Sequence, residues 1–380
     1  MRILLVTSAL ASHYFAMAPF GWAARVHGHD VAVATTPDLV PVVRESGLPA
    51  VAVGSTMDFT GRYRDSARAG GGPGDPKALF GLVAGSMVDD LVAYAHWWRP
   101  DLVVWEPTTF AAPVAAAAVG VPAVRYLWGP DIVGRGSSGR DRLPPAVGEL
   151  FARFGVSPDE VPDWWTIDPC PPSVRLAGPR WRSVRYVPYS NQNRVPAAVL
   201  RPPARPRVLV TLGVSVTGLV GSRAFLPPIV LRALSDVDVD VVVALPSDQR
   251  DDLGTLPGNA TAVAGCPLQA VMPTCSLVVH HGGAGSLLTA AGCGVPQLML
   301  TQMPDLGFYA DRLAATGAGT HIRGDAVTED AVRAAVRASL DDPAMAAAAD
   351  KLRAETLDQP TPVQLAAGLE DLVSTARGSQ

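Results

Sequence analysis

Residues 277–300 read LVVHHGGAGSLLTAAGCGVPQLML, and this stretch decides the fold. A short apolar run, Leu277–His280, stops at a histidine–glycine turn. An Ala- and Leu-rich helical stretch follows, and a second apolar run, Gln297–Leu300, comes after it. Strand, glycine turn, helix, strand is the unit from which parallel sheets are built. Both runs are nearly continuous in apolar residues, as expected of strands covered by helices on both faces.

Working outward, the same rhythm fills the second half. Strands are expected at Arg207–Leu212, Asp240–Leu245 and Ala260–Ala264, with helices near 225–234, 267–273, 284–293 and 307–316. The first half repeats it, with strands at Arg2–Thr7, Val31–Thr35, Ala50–Val53, Asp101–Trp105 and Pro122–Leu127 and helices near 16–27, 38–46, 77–98 and 109–119. Two doubly wound α/β domains with parallel sheets follow. Between them lies VPYSNQNRVPAAVLRPPARP (187–206), whose five prolines and weak periodicity mark a linker. The expected division is therefore 1–200, 201–360 and a C-terminal helix within 361–380. Residues 54–76, rich in Gly, Asp and Arg, read as an irregular loop.

Composition narrows the function classes. The 380 residues are 48% hydrophobic and 17% charged, with net charge −4, which describes a globular chain long enough for two cores. No basic stripe is present, so nucleic acid is not an expected partner. The N-terminal MRILLVTSALASH has the outline of a signal peptide, but Thr7 and Ser8 interrupt the run, and it reads as a buried first strand. No stretch reaches about 18 uninterrupted apolar residues, so no membrane span is expected. Cys170, Cys266, Cys275 and Cys293 form no close metal-ligand pattern and suit a reducing cytoplasm.

In open α/β sheets, ligands collect beyond the carboxyl ends of strands, where the strand order reverses. With the order 3-2-1-4-5, the loop after the first strand, carrying His13, lies beside the end of the fourth, carrying Glu106. A carboxylate on one ring nitrogen fixes the tautomer and leaves the other nitrogen free to take a proton from a hydroxyl. In the second half, His280–Ser286 (HHGGAGS) joins a strand to a helix. Glycines allow close backbone approach there, and a helix N-terminus offers N–H groups and a positive dipole to an anion. His281 and Ser286 can add hydrogen bonds, and the loop after that domain's first strand, Gly213 to Thr217, lies alongside. This reads as a diphosphate cradle. No Walker-type or dinucleotide-type glycine motif is present, so an ATPase or NAD enzyme is not indicated. Asp236-Val-Asp238-Val-Asp240 has D-x-D spacing but precedes a buried strand and reads as its solvated start, so no metal is expected.

At these residues the chain resembles a known family, the bacterial natural-product glycosyltransferases related to the UDP-glucuronosyltransferases. VRYVPYSN (184–191) is similar to that family's pre-linker motif and RVLVTLGVS (207–215) to its first donor-domain strand. CPLQAVMPTCSLVVHHGGAGSLLTAAGCGVPQLML (266–300) looks like its donor-binding signature. The resemblance implies a GT-B fold, two Rossmann-like domains facing a cleft, and inverting transfer of a sugar from a nucleoside diphosphate to a small apolar aglycone such as a polyketide. His13 would be the base, with Glu106 where the family usually has Asp. His281, Gly282, Gly283, Ala284, Gly285 and Ser286 match the phosphate contacts, with Gly213 and Ser215 beside them. Cys266, Pro267 and Gln269 fall where the nucleobase is held.

One position departs from the pattern. The family often has Asp-Gln at the sugar hydroxyls, and here the pair is Asp305-Leu306. Leu306 would suit a carbon lacking its hydroxyl, which favours a TDP-deoxysugar over a UDP-sugar; alternatively it packs under its helix. Acceptor contacts are expected from Phe59, the helix 77–98, Trp128 and Asp131, and the co-substrate is the only small-molecule requirement. A hydroxyl or an aromatic carbon could receive the sugar, and a homodimer is compatible with the sequence. The rival readings are a nucleotide-sugar epimerase, which would act on donor alone, and a non-catalytic nucleotide-sugar-binding relative.

Overall fold

The computed structural model describes residues 1–378 apart from 9, 70–75, 135–142, 161–164, 177, 179–180, 192–193, 213–224 and 247–248. The chain divides into two compact units. The first comprises Met1–Pro169, Leu176–Tyr189 and Gln359–Gln380; the second comprises Cys170–Arg175 and Ser190–Asp358. Set against the expected division, residues 190–200 group with the second unit and the C-terminal segment with the first.

The first unit holds strands β1 (Arg2–Val6), β2 (Asp30–Thr35), β3 (Ala50–Ala52), β4 (Leu102–Trp105), β5 (Ala123–Tyr126), β6 (Trp165–Asp168) and β7 (Trp181–Ser183). They lie in the order β3-β2-β1-β4-β5-β6-β7, parallel throughout. The second unit holds β8 (Arg207–Thr211), β9 (Asp240–Leu245), β10 (Ala260–Ala264), β11 (Leu277–His280), β12 (Gln297–Thr301) and β13 (Gly319–Arg323). Their order is β10-β9-β8-β11-β12-β13, also parallel. Each sheet reverses beside its first strand, at β1/β4 and at β8/β11. The expected order is found in both units, extended by β6, β7 and β13, which the sequence reading did not contain.

The helices differ from expectation in two places that bear on the site. The first helix spans Ala11–Val26, so His13 lies in its first turn and not in a free loop. Its N-cap, Leu10, provides no side-chain cap, so the usual start signal is missing from the sequence. Residues 54–76 are not a loop throughout, since Phe59–Ala69 is helical. The tail also acquires a place. Helix Pro362–Ala367, opened by a Thr361/Gln364 capping box, packs against helix Ala11–Val26, and Leu365, Ala366, Leu369 and Val373 are buried.

Helix Pro76–Trp98 contains the one stretch among the described residues, Ala78–Trp98, that is long and apolar enough by composition to cross a membrane. The sequence reading missed it because Asp89 and Asp90 interrupt the run. In the fold its Leu79, Val83, Ala84, Met87, Val88, Leu91, Val92 and Ala95 are buried, which accounts for the apolar composition.

The linker is anchored at its distal end. Val199, in the short helix Ala197–Leu200, is buried against the β8–β11 side of the second core. Arg207, itself 6% exposed, donates to the Val199 carbonyl at 2.8 Å, to Thr274 Oγ1 at 2.6 Å and to the Arg201 carbonyl at 3.1 Å. Replacing Arg207 with Met keeps the apolar stem but strips these acceptors of their donor. Arg207→Met should destabilise the second unit by about 1–3 kcal/mol. A lowered melting temperature is the expected readout, and an unchanged one would show that the linker is held by Val199 packing alone.

Candidate active site

In the first unit the site grows from the β1–β4 pairing. Val6 is aligned with Trp105, so the residues that follow, Thr7 and Glu106, leave the sheet together, and the Glu106 N–H donates to the Val6 carbonyl at 3.2 Å. His13 Nδ1 then lies 3.0 Å from Glu106 Oε2, with the two residues 8% and 0% exposed. A carboxylate can only accept, so Nδ1 carries the hydrogen and Nε2 is left with its lone pair. The rest of the carboxylate is also occupied. The Thr108 N–H donates at 3.0 Å, Thr108 Oγ1 lies 2.8 Å from both oxygens, and Thr109 Oγ1 donates as well. Thr109 Oγ1 is in turn 2.9 Å from Ser8 Oγ. A buried carboxylate is tolerated when it is this fully hydrogen-bonded.

Trp128, in the loop after β5, stacks on the His13 ring with centroids 3.6 Å apart and planes 7° from parallel. Asp131, expected to face an acceptor, is engaged within the protein. It forms a buried ion pair with Arg125 at 3.0 Å and accepts the Gly134 N–H at 2.7 Å. Arg125 Nε and Nη2 also donate to Thr166 Oγ1. Asp131 thus braces the loop that carries Trp128. Phe59 is 5% exposed and stacks on Phe80 at 5.4 Å, packing the helix Phe59–Ala69 onto helix Pro76–Trp98.

In the second unit the candidate residues leave the carboxyl ends of β10, β11 and β12. Gly213 and Ser215, after β8, lie outside the described residues. At the end of β11, Gly282 has φ +98°, in the left-handed region that favours glycine, and a Cβ there would sit 2.8 Å from Met299 Cε. A Cβ on Gly283 would sit 2.4 Å from His281 Nε2. The two glycines therefore let the turn close and let the His281 ring lie over it. Helix Ala284–Cys293 follows with Gly283 as an N-cap without side-chain capping, so the N–H groups of its first turn are available to an anion.

His280, which the sequence reading passed over, is fully buried. Its Nε2 is 3.0 Å from Gln297 Oε1, and its Nδ1 accepts the Gly282 N–H at 3.2 Å. No sequence rule pairs these residues; only the β11–β12 register brings them together. Burial, reinforced by neighbouring His281 and opposed by the Gln297 hydrogen bond, pushes His280 down to about 3. Burial likewise pushes His281 down to about 4, against a hydrogen bond to the Thr211 backbone. His281 is therefore a neutral ring near pH 7.

Asp305 lies in the first turn of helix Pro304–Ala314, and burial raises its carboxyl pKa despite hydrogen bonds from its own and the Leu306 N–H. Leu306 is 7% exposed, and its Cβ is 3.4 Å from where a Cβ on Gly282 would stand, so it covers the turn. After β10, Cys266 is buried with its thiol pKa raised by burial, Pro267 caps helix Leu268–Val271, and Gln269 is exposed. The D-x-D carboxylates sit away from these ends, at the start of β9. Asp238 and Asp240 pair with Arg205, and Asp236 pairs with Arg333.

Comparison with known proteins places these features in context. Family models for the N- and C-terminal domains of erythromycin biosynthesis protein CIII-like proteins match residues 22–72 with 58–213, and 228–372. The 10-deoxymethynolide desosaminyltransferase of Streptomyces venezuelae is 38% identical, covering 99% of this chain and 98% of its own. The solved spinosyn forosaminyltransferase SpnP is 33% identical with a TM-score of 0.84, covering 98% of this chain and 99% of its own. The glycosyltransferase VinC, solved in complex with dTDP, is 30% identical with a TM-score of 0.81, covering 99% of this chain and 100% of its own.

The two lowered histidines fix the sign of a pH dependence. An unfolded chain takes up protons at these rings near pH 6.5, whereas the folded chain refuses them until about pH 4 at His281 and about pH 3 at His280. Stability should therefore fall as pH drops from about 6.5 towards 4, and His281→Asn should make that decline shallower. Melting temperatures across this range check it, and parallel curves for the two proteins would refute the assignment to His281.

Proposed function

The chain belongs to the family of erythromycin biosynthesis protein CIII-like glycosyltransferases, with the two parallel-sheet domains of the GT-B fold, and from that premise we propose that it moves a deoxysugar from thymidine diphosphate (TDP) to a hydroxyl of a polyketide-type aglycone with inversion at the anomeric carbon. The observation that carries the catalytic part is the His13–Glu106 pair, with one ring nitrogen held by a buried carboxylate and the other free. His13 Nε2 takes the acceptor proton, the oxygen attacks the anomeric carbon, and the bond to the diphosphate breaks with its electron pair leaving on the phosphate oxygen. Glu106 holds the tautomer and offsets the positive charge that forms on the ring. Trp128, stacked on that ring, presents an apolar edge beside the base and is assigned to the acceptor side.

His281 and the N–H groups of Gly283 to Ser286 are assigned to the diphosphate, where charge grows as the bond breaks. Donors fixed in place before the reaction stabilise that charge without the reorganisation that water would require. Cys266, Pro267 and Gln269, and Gly213 and Ser215, are assigned to the rest of the nucleotide. Asp305 is assigned to a sugar hydroxyl and Leu306 to a carbon without one. The preference for a TDP-deoxysugar is supported by Leu306, by the desosaminyl and forosaminyl transfers named for two relatives, and by dTDP in the VinC structure.

A ligand that binds the native state raises apparent stability, by about 2.7 kcal/mol at a hundredfold excess over Kd. TDP should raise the melting temperature of the purified protein more than UDP does, and NAD should leave it unchanged. The absence of any shift with pyrimidine diphosphates would overturn the donor assignment. His13→Ala should keep the TDP shift and lose about 10²–10⁴ in transfer rate, the usual size of general-base catalysis. Full activity in that variant would remove His13 from the mechanism.

A further inference from the structure

His280, the first histidine of the motif, has no role in the proposed chemistry, yet both of its nitrogens are committed. A backbone N–H can only donate, so the Gly282 hydrogen bond at 3.2 Å fixes Nδ1 as an acceptor. Nε2 then carries the hydrogen and donates to Gln297 Oε1 at 3.0 Å. That contact orients the Gln297 amide and leaves its NH₂ to donate to the Leu287 carbonyl at 3.3 Å. One arrangement of protons satisfies all three contacts. The chain of bonds runs from the glycine turn, through β11 and β12, to the first turns of helix Ala284–Cys293. It therefore ties together the two parts of the loop that would hold the diphosphate.

The turn needs such a tie. Gly282 sits at φ +98°, where glycine has no strong preference for one conformation, and its N–H points back to the ring two residues before it. Met299, Thr301 and Leu306 occupy the space where a Gly282 Cβ would stand, which limits a shift of the turn to that side. Its other freedom is to rotate, and the Nδ1 contact opposes that. Burial keeps the His280 ring neutral, so the acceptor persists at any pH above about 3.

We propose that His280 and Gln297 are positioning residues for the diphosphate: His280 Nδ1 holds the Gly282 N–H inward, and this aims the N–H groups of Gly283 to Ser286 and the His281 ring at the phosphates. The inference rests on the reading of this loop as the TDP site. A histidine that merely fills the core would look similar, and the two roles separate in how substitutions rank. His280→Leu fills the space without an acceptor. His280→Asn is smaller but places an amide oxygen where Nδ1 was. Gln297→Met keeps the volume and leaves Nε2–H without its partner.

Affinity for TDP is measured by calorimetry, and melting temperature without ligand, for the full-length wild type and the three variants. The expected result is TDP binding weakened about tenfold or more in His280→Leu and Gln297→Met, and close to wild type in His280→Asn. The melting temperatures should rank the other way for the His280 pair, with Leu above Asn. TDP affinities that are unchanged in all three, or that follow the melting temperatures, would overturn the proposal. Should His280→Leu fail to fold, Gln297→Met decides, with unchanged affinity overturning it. A wild type that does not bind TDP sinks the donor reading and this inference together, whereas binding by the wild type with indifferent variants sinks only this one.

Discussion

Parallel pairing of the first strand with the fourth is the constraint on which both units depend. In each sheet the chain winds outward from its first strand in one direction and then returns to build the other half beside it. The loops leaving those two neighbouring strands turn apart, and the space between them is where side chains from distant parts of the sequence can meet. In the first unit the β1–β4 register places Val6 opposite Trp105, and the next residues bring Glu106 under the helix that carries His13. In the second, the β8–β11 register places Thr211 opposite His280, so the glycine turn begins where β8 ends. A one-residue slip in either pairing would turn the strand's side chains to the opposite face and dissolve the site.

The two sites solve opposite electrostatic problems. In the first unit a carboxyl group is buried, and the protein surrounds it with donors: a backbone N–H, two threonine hydroxyls and the histidine ring. In the second, on the proposed reading, the anion comes from outside and is met by neutral groups among the described residues of the loop. Burial keeps His280 and His281 neutral, and the start of helix Ala284–Cys293 offers its N–H groups. Neutral donors suit a group that must also be released. A buried cation would hold the product diphosphate as firmly as it stabilised the breaking bond, whereas dipoles favour the extra charge of bond breaking with less grip on the product.

Most of the strand framework was legible because parallel strands covered on both faces must be apolar along their whole length. Ile3–Val6, Leu102–Trp105 and Leu277–His280 could hardly be read otherwise. What escaped lies at or next to a sheet edge. β6 contains Thr166 and Asp168, β7 is three residues long with Arg182 at its centre, and β13 contains His321 and Arg323. Partial burial removes the apolar signature in β7 and β13, whereas β6 is buried throughout and its run is broken by the buried polar Thr166 and Asp168. Local signals also misled. The uncapped start at Leu10 hid the first turn of the helix holding His13, and the polar character of 54–76 concealed the helix at Phe59–Ala69. The glycine turn and helix start at His281 to Ser286 were legible as structure because a motif carries them. Contacts set only by register were not, as for His280 with Gln297, and nothing in the sequence pairs Asp131 with Arg125.

The resemblance puts Glu106 where an Asp is usual, and its surroundings suit the longer side chain. A longer carboxylate has one more rotatable bond, and that freedom would loosen the contact that orients His13. Here the freedom is removed by Thr108 and Thr109, which between them engage both oxygens, while Ser8 fixes the Thr109 hydroxyl from the β1 side. Trp128 then confines the ring from its face, and the Arg125–Asp131 pair confines the loop that carries Trp128. A base must be held within a fraction of an ångström of its working position, and in the proposed role of His13 that precision would come from supports contributed by β1, β4, β5 and β6 together. Thr108 and Thr109 thus supply the rigidity that a shorter side chain would have had on its own.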